Sequence, residues 1–190
     1  MTTIGFDSGT IYAGRDLASR GTIIKNNLFH HLDNPAPCNG YTSCIRNAIY
    51  LDDLEGGVTI VGNIFFRAYT AIFSNQGGDF TINNNLFLDC QVAVRQSGSV
   101  QPTGSKATGL FAVLDKYPFR DELWQSHYPA LARFKEWVVP TEPPEGCLNG
   151  PLNNVYSHNI IVNFSQPEYW GECEVSTDMS YNYMYTCPPI

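Results

Sequence analysis

Gly57-Val58-Thr59-Ile60-Val61-Gly62-Asn63-Ile64-Phe65 is followed, 22 residues on, by Asp79-Phe80-Thr81-Ile82-Asn83-Asn84-Asn85-Leu86-Phe87. In both, two alternating stretches of β-branched or aromatic residues flank a turn of glycine and asparagine, and an asparagine precedes two large apolar residues. The same unit stands earlier, with Gly21-Thr22-Ile23-Ile24 leading to Asn27-Leu28-Phe29. Weaker echoes follow at Asn159-Ile160-Ile161 and Asn182-Tyr183-Met184. A small-apolar pair closes the unit at Ala71-Ile72 and Ala93-Val94. The windows alternate with a period of two, as strands do, and lack the 3.6-residue period that a helical repeat requires. Glycine and asparagine tolerate the left-handed turn conformation between them.

Self-similarity at this period means stacked coils. The sequence therefore predicts an all-β fold, a right-handed parallel β-helix: a solenoid with coils of about 22 residues, in which equivalent positions stack at roughly 4.8 Å. The hand follows from the chirality of parallel connections. Asn27, Asn63 and Asn85 are expected to bond amide to amide between coils, a scaffold role that satisfies turn groups otherwise left unpaired.

The 190 residues read as one domain. Residues 1–96 hold regular coils, 97–154 an inserted excursion and 155–190 returning coils, with a core column of Ile, Val, Leu and Phe. The repeat is under way at Gly9-Thr10-Ile11-Tyr12 with no polar cap before it, so the chain reads as part of a longer β-helix whose exposed coil ends favour self-association. The 74 residues from Asn85 to Asn159 exceed one coil. In this excursion, Asp121 to Val138 predicts a short helix, with Asp121 as N-cap and a break at Pro129. Its aromatic residues pin the segment to the coils, and Tyr117, Trp124 and Trp137 are the candidates to stack on sugar rings.

A net charge of −7 argues against nucleic acid as a partner, and no apolar run reaches the ~20 residues of a membrane span. Six cysteines without a Cys-x-x-Cys pair suggest extracellular disulfides rather than zinc. Cys38 could close on Cys44, and Cys173 on Cys187 or Cys147, while Cys90 reads as a buried small apolar residue. The Asn163-Phe164-Ser165 sequon permits glycosylation in the same setting. A secreted location is expected, although Met1 to Arg15 lacks the apolar stretch of a signal peptide.

Aligning the coils on Thr10-Ile11, Ala48-Ile49, Ala71-Ile72 and Ala93-Val94 stacks Tyr12, Tyr50, Phe73 and Arg95. Two positions on come Gly14, Asp52, Asn75 and Ser97, and then Arg15, Asp53, Gln76 and Gly98. With Asp16, these form a polar face. Neighbouring coils bring Asp16 to within roughly 5 to 10 Å of Asp52 and Asp53, a range that covers the carboxylate separations of glycoside hydrolysis. Two close carboxyls also push one pKa up, as an acid catalyst needs. The expected site is therefore Asp16, Asp52, Asp53 and Asp7 for chemistry, with Arg15, Tyr50, Asn75, Gln76, Arg95 and Trp124 binding substrate. Two plainer readings compete: aspartates bonding turn amides with Arg15 paired to Asp53, and a calcium site built on Asp52 and Asp53. No zinc spacing or other cofactor motif is present.

The run from Asp7 through Ser8-Gly9-Thr10-Ile11-Tyr12-Ala13-Gly14-Arg15 to Asp16, followed by Asn26-Asn27-Leu28-Phe29-His30, resembles large right-handed β-helix proteins of the carbohydrate-active, pectate-lyase-like kind. So does Ala48-Ile49-Tyr50-Leu51-Asp52-Asp53 with its following Gly57 to Phe65. The chain resembles glycoside hydrolase family 141 and its relatives, and the likeness covers about two thirds of it. It implies cleavage of a plant or algal polysaccharide by aspartates, with Asp7, Asp16, Asp52 and Asp53 on the matching positions. Arg95-Gln96-Ser97 departs from the acidic residue that relatives carry there. A polysaccharide lyase of the same architecture, using Arg15 or calcium, and a non-catalytic glycan-binding β-helix are the alternatives.

Overall fold

The structure is a computed structural model. It describes residues 8–16, 18–32, 46–97, 112–113, 115–134, 153–170, 177–178 and 180–186. The strands are β1 (Gly9–Gly14), β2 (Ile23–Lys25), β3 (Leu28–Leu32), β4 (Asn47–Asp52), β5 (Thr59–Val61), β6 (Ile64–Ala68), β7 (Thr70–Asn75), β8 (Thr81–Asn83), β9 (Leu86–Leu88) and β10 (Val92–Ser97). After the excursion come β11 (Asn154–Ser157), β12 (Ile160–Val162), β13 (Gln166–Trp170), β14 (Thr177–Asp178) and β15 (Tyr183–Tyr185).

They form three five-stranded sheets. Sheet 1 is β1-β4-β7-β10-β13, sheet 2 is β2-β5-β8-β11-β14 and sheet 3 is β3-β6-β9-β12-β15. Every pairing is parallel. From β1 through β15 the chain gives one strand to each sheet in turn and then starts the next layer. The result is an all-β, solenoid-like stack.

The register matches the sequence alignment. Ile11, Ile49, Ile72 and Val94 pair across sheet 1. Ile24, Ile60, Ile82 and Tyr156 do so in sheet 2, and Phe29, Phe65 and Phe87 in sheet 3. These residues point inward and form one continuous core with Val58 and Phe80. The three phenylalanine rings stack nearly parallel with centroids 5.0 and 4.9 Å apart, because the strand spacing of roughly 4.8 Å dictates that distance. Burying each ring is worth roughly 2 to 3 kcal/mol. One polar pair interrupts the column: Gln96 donates to the Tyr156 hydroxyl inside the stack, and sequence pattern gave no sign of it.

The asparagine ladder runs the full height of sheet 3. Asn63 Oδ1 accepts from both the backbone N–H and the side-chain amide of Asn27, at 3.0 Å each. Asn85, Asn159 and Asn182 repeat the arrangement in turn. The two weaker echoes are thus full rungs. From Asn63 onward each amide also donates to a carbonyl of the preceding layer, as Asn63 does to Ile24 at 2.9 Å, while the Asn27 amide donates to Lys25 of its own layer.

The left-handed corners are less selective than glycine and asparagine alone would suggest. Between sheets 2 and 3 the positive-φ column is Asn26, Gly62, Asn84, His158 and Tyr181, and after sheet 3 it is His31, Arg67, Asp89 and Asn163. Stacking overrides the local preference, at a cost of order 1 kcal/mol per non-glycine residue.

The excursion contributes α1 (Glu122–His127) and a 3-10 segment, Pro129–Phe134, so the helix breaks where Pro129 was expected to break it. Asp121 takes the N-cap position, but its side chain makes no capping bond. Phe119 and Leu131 are completely buried and anchor the segment. Among the described residues no helix is long and apolar enough to cross a membrane. Cys90 is a buried free thiol. The other five cysteines, Asp7 and Trp137 lie outside the described residues.

Candidate functional site

Four consecutive layers of sheet 1 carry the predicted column, and its stacked positions pair as aligned. Tyr12, Tyr50, Phe73 and Arg95 pair in register. Tyr50 stacks on Phe73 at 4.7 Å and meets the edge of Tyr12 at 5.1 Å, while the Arg95 guanidinium lies 4.6 Å over Phe73. Within this column Tyr50 is buried, while Tyr12 at its end is 48% exposed and Phe73 and Arg95 are half-buried.

Asp52 ends β4 opposite Gly14. Only glycine fits there, since a Cβ would stand 2.7 Å from the Asp52 carbonyl oxygen. The Asp52 carboxylate accepts four hydrogen bonds: from the Tyr12 hydroxyl, from the Tyr50 hydroxyl at 3.0 Å, from the Asn75 amide at 2.7 Å and from the Asp53 N–H at 2.8 Å. Burial pushes its pKa up, but the bonds from Tyr12, Asn75, Tyr50 and Asp53 together outweigh it and hold the carboxyl below the ordinary value. Asp52 is thus a buried carboxylate whose charged form the surrounding donors favour.

Asp53 occupies the left-handed corner after β4, stacked beside Arg15 and Gln76 in the same conformation. Its Oδ2 accepts from Arg15 Nε at 3.1 Å. The arginine is largely in solvent while the aspartate is buried, so the ion pair contributes no more than about 1 kcal/mol. Gln76 is buried and fastened through its backbone to the Ser97 carbonyl.

A second acidic centre lies at the corner between β1 and β2. Asp16 is half-buried; its Oδ1 accepts from the Ala18 N–H at 3.1 Å, and its Oδ2 accepts from the Tyr117 hydroxyl at 2.8 Å. Beside it stands Glu55, 3% exposed, which accepts bonds from the Ser19 side chain and the Asp16 backbone. Burial first, and the Asp16 charge next, push the Glu55 carboxyl from 4.5 up to about 7, against the lowering effect of the Ser19 bond and the Arg20 charge. Tyr117 is pushed up as well, chiefly because its hydroxyl donates to Asp16. Arg20 reaches across Gly57 to Asp79 at 2.6 Å with both side chains buried.

Sequence alignment missed Glu55, because it lies in the irregular turn past the last aligned column. A signal was available in the next layer. Gly77 has φ +97°, and a Cβ there would collide with the Glu55 backbone carbonyl oxygen, so the backbones of the two layers are pressed together at this residue.

The excursion seats its aromatic residues against the same corner. Tyr117, already bonded to Asp16, lies 5.7 Å from Trp124, which lies 5.6 Å from Tyr128. Leu123, Trp124, His127 and Tyr128 line a mostly apolar, half-open cleft of about 330 Å³. Of the sequence-derived sugar-stacking candidates, Tyr117 and Trp124 are brought together here, joined by Tyr128. Asp52, Asp53, Arg15, Tyr50, Asn75 and Arg95 share the face of sheet 1, whereas Asp16 stands at the corner with Glu55. Among the described residues no group of three histidine, cysteine or acidic side chains could hold a metal ion. Comparison with known protein families, curated proteins and solved structures finds no match to this chain.

Proposed function

We propose that the chain is a right-handed parallel β-helix that binds a polysaccharide or oligosaccharide on the shelf formed by Tyr117, Trp124 and Tyr128. The observation that carries this reading is the cleft beside Trp124, open to solvent and walled by aromatic faces, with His127 at its rim. Sugar rings present flat C–H faces that pack on such rings, and small-molecule sites are mostly apolar with a few polar groups. Kinship with glycoside hydrolase family 141 and its pectate-lyase-like relatives, and secretion, belong to the same proposal, supported by the matching motif runs and by the cysteine content. Asp52 and Asp53, buried and engaged, serve as scaffold in it.

A second reading, hydrolysis, rests on one specific observation. Burial and the neighbouring Asp16 charge push the Glu55 carboxyl up to about 7, and a carboxyl that keeps its proton near neutrality beside a second carboxylate is what an acid catalyst needs. Glu55 would protonate the leaving oxygen while Asp16 activated water or attacked the anomeric carbon.

Titration of the protein with plant and algal glycans, alongside a reducing-end assay, tests both. Binding by the wild type, weakened about tenfold in Trp124→Ala, is expected, because an aromatic contact is worth roughly 1 to 1.5 kcal/mol. Failure of every glycan to bind, or equal affinity of the variant, would refute the shelf. New reducing ends, lost in both Glu55→Gln and Asp16→Asn, would establish the second reading.

A further inference from the structure

Asn163-Phe164-Ser165 is the single Asn-x-Ser/Thr tripeptide in the sequence, and its middle residue is not proline. It forms the corner after β12. Asn163 has φ 51° and is exposed, Phe164 is half-buried against the core, and Ser165 is exposed. The amide and the hydroxyl therefore both reach solvent, with the ring between them as the anchor. Equivalent corners of the earlier layers carry His31, Arg67 and Asp89, all left-handed and all exposed. This column presents side chains outward and gives nothing to the core.

We propose that Asn163 is an N-glycosylation site, modified when the chain enters a eukaryotic secretory compartment. The donor is a lipid diphosphate-linked oligosaccharide. The bond from its anomeric carbon to the diphosphate oxygen breaks, a new bond forms from that carbon to Asn163 Nδ2, and one amide proton leaves with the diphosphate. One N–H remains. Asn163 Nδ2 donates to Asp89 Oδ1 at 3.0 Å in the unmodified protein, and the remaining hydrogen can keep that bond. A cavity of about 460 Å³ with more polar than apolar lining opens beside the amide, bounded by Asp89, Gln91, Ser165 and Thr186, and gives the first sugar room and hydrogen-bond partners. The proposal is independent of the glycan-binding shelf, which belongs to the excursion.

The test directs the full chain into the endoplasmic reticulum of a eukaryotic cell with an added signal peptide and maps the peptides of the membrane-protected product. One glycan on Asn163 is expected, removable by endoglycosidase and lost in both Asn163→Gln and Ser165→Ala. Ser165→Ala leaves the Asn163–Asp89 bond in place, so its loss of glycan reports recognition of the tripeptide rather than a damaged corner. Membrane-protected chains unmodified at Asn163 would overturn the proposal.

Discussion

Replacing Glu55 by glutamine should make the protein more stable above neutral pH and remove part of its pH dependence. In the folded protein the carboxyl titrates near 7 instead of 4.5, because it is buried beside Asp16. The folded state therefore holds its proton where the unfolded chain has already released it. The group's stabilising contribution is complete below about pH 4.5, declines as pH rises toward 7, and is lost above that. The rise from 4.5 to about 7 corresponds to about 3 kcal/mol. Glutamine has nearly the same shape, can still accept from Ser19 and the Asp16 N–H, and never charges. Urea denaturation of wild type and Glu55→Gln at pH 5 and pH 8 measures the difference. The variant should gain about 2 to 3 kcal/mol over wild type on going from pH 5 to pH 8, or roughly 1 M in urea midpoint. Parallel pH profiles for the two proteins would refute the argument, since they would mean that Glu55 ionises freely in the fold.

Two further outcomes follow from the stack. Asn63→Ala removes the acceptor for two Asn27 N–H groups and the donor to the Ile24 carbonyl and the Asn85 amide. It should cost about 2 to 3 kcal/mol in chemical denaturation, as the buried Ile24 carbonyl and Asn85 amide oxygen each lose a donor, while the exposed Asn27 groups can turn to water. Cys90 is buried, and its thiol is pushed up to about 11, by burial above all. Peptide mapping after alkylation of the native protein at pH 8 should find Cys90 unmodified, and should find it labelled once urea is added.

The stack was legible because its physics repeats. A corner that satisfies one layer's amides with the next layer's asparagine needs asparagine at every layer, so Asn63 and Asn85 announce the ladder and Asn159 and Asn182 extend it. The register of Tyr12, Tyr50, Phe73 and Arg95 followed from the same alignment. What the alignment could not supply was the chemistry of each carboxylate. Asp52 looks like a reactive acid in sequence, but the hydroxyls that saturate it come from Tyr12 on the neighbouring strand and from Tyr50 two residues before it. Glu55 acquires its character from burial and from Asp16, on a turn without a repeating position. The shelf was visible only as aromatic content, because Tyr117 is placed by its bond to Asp16, a residue 101 positions away.

The most direct test of the proposed activity is a crystal structure of the protein soaked with a glycan that binds it. A sugar ring lying on the Trp124 face, within the cleft bounded by Leu123, His127 and Tyr128, is the predicted result. A sugar bound elsewhere, with that cleft empty, would contradict it.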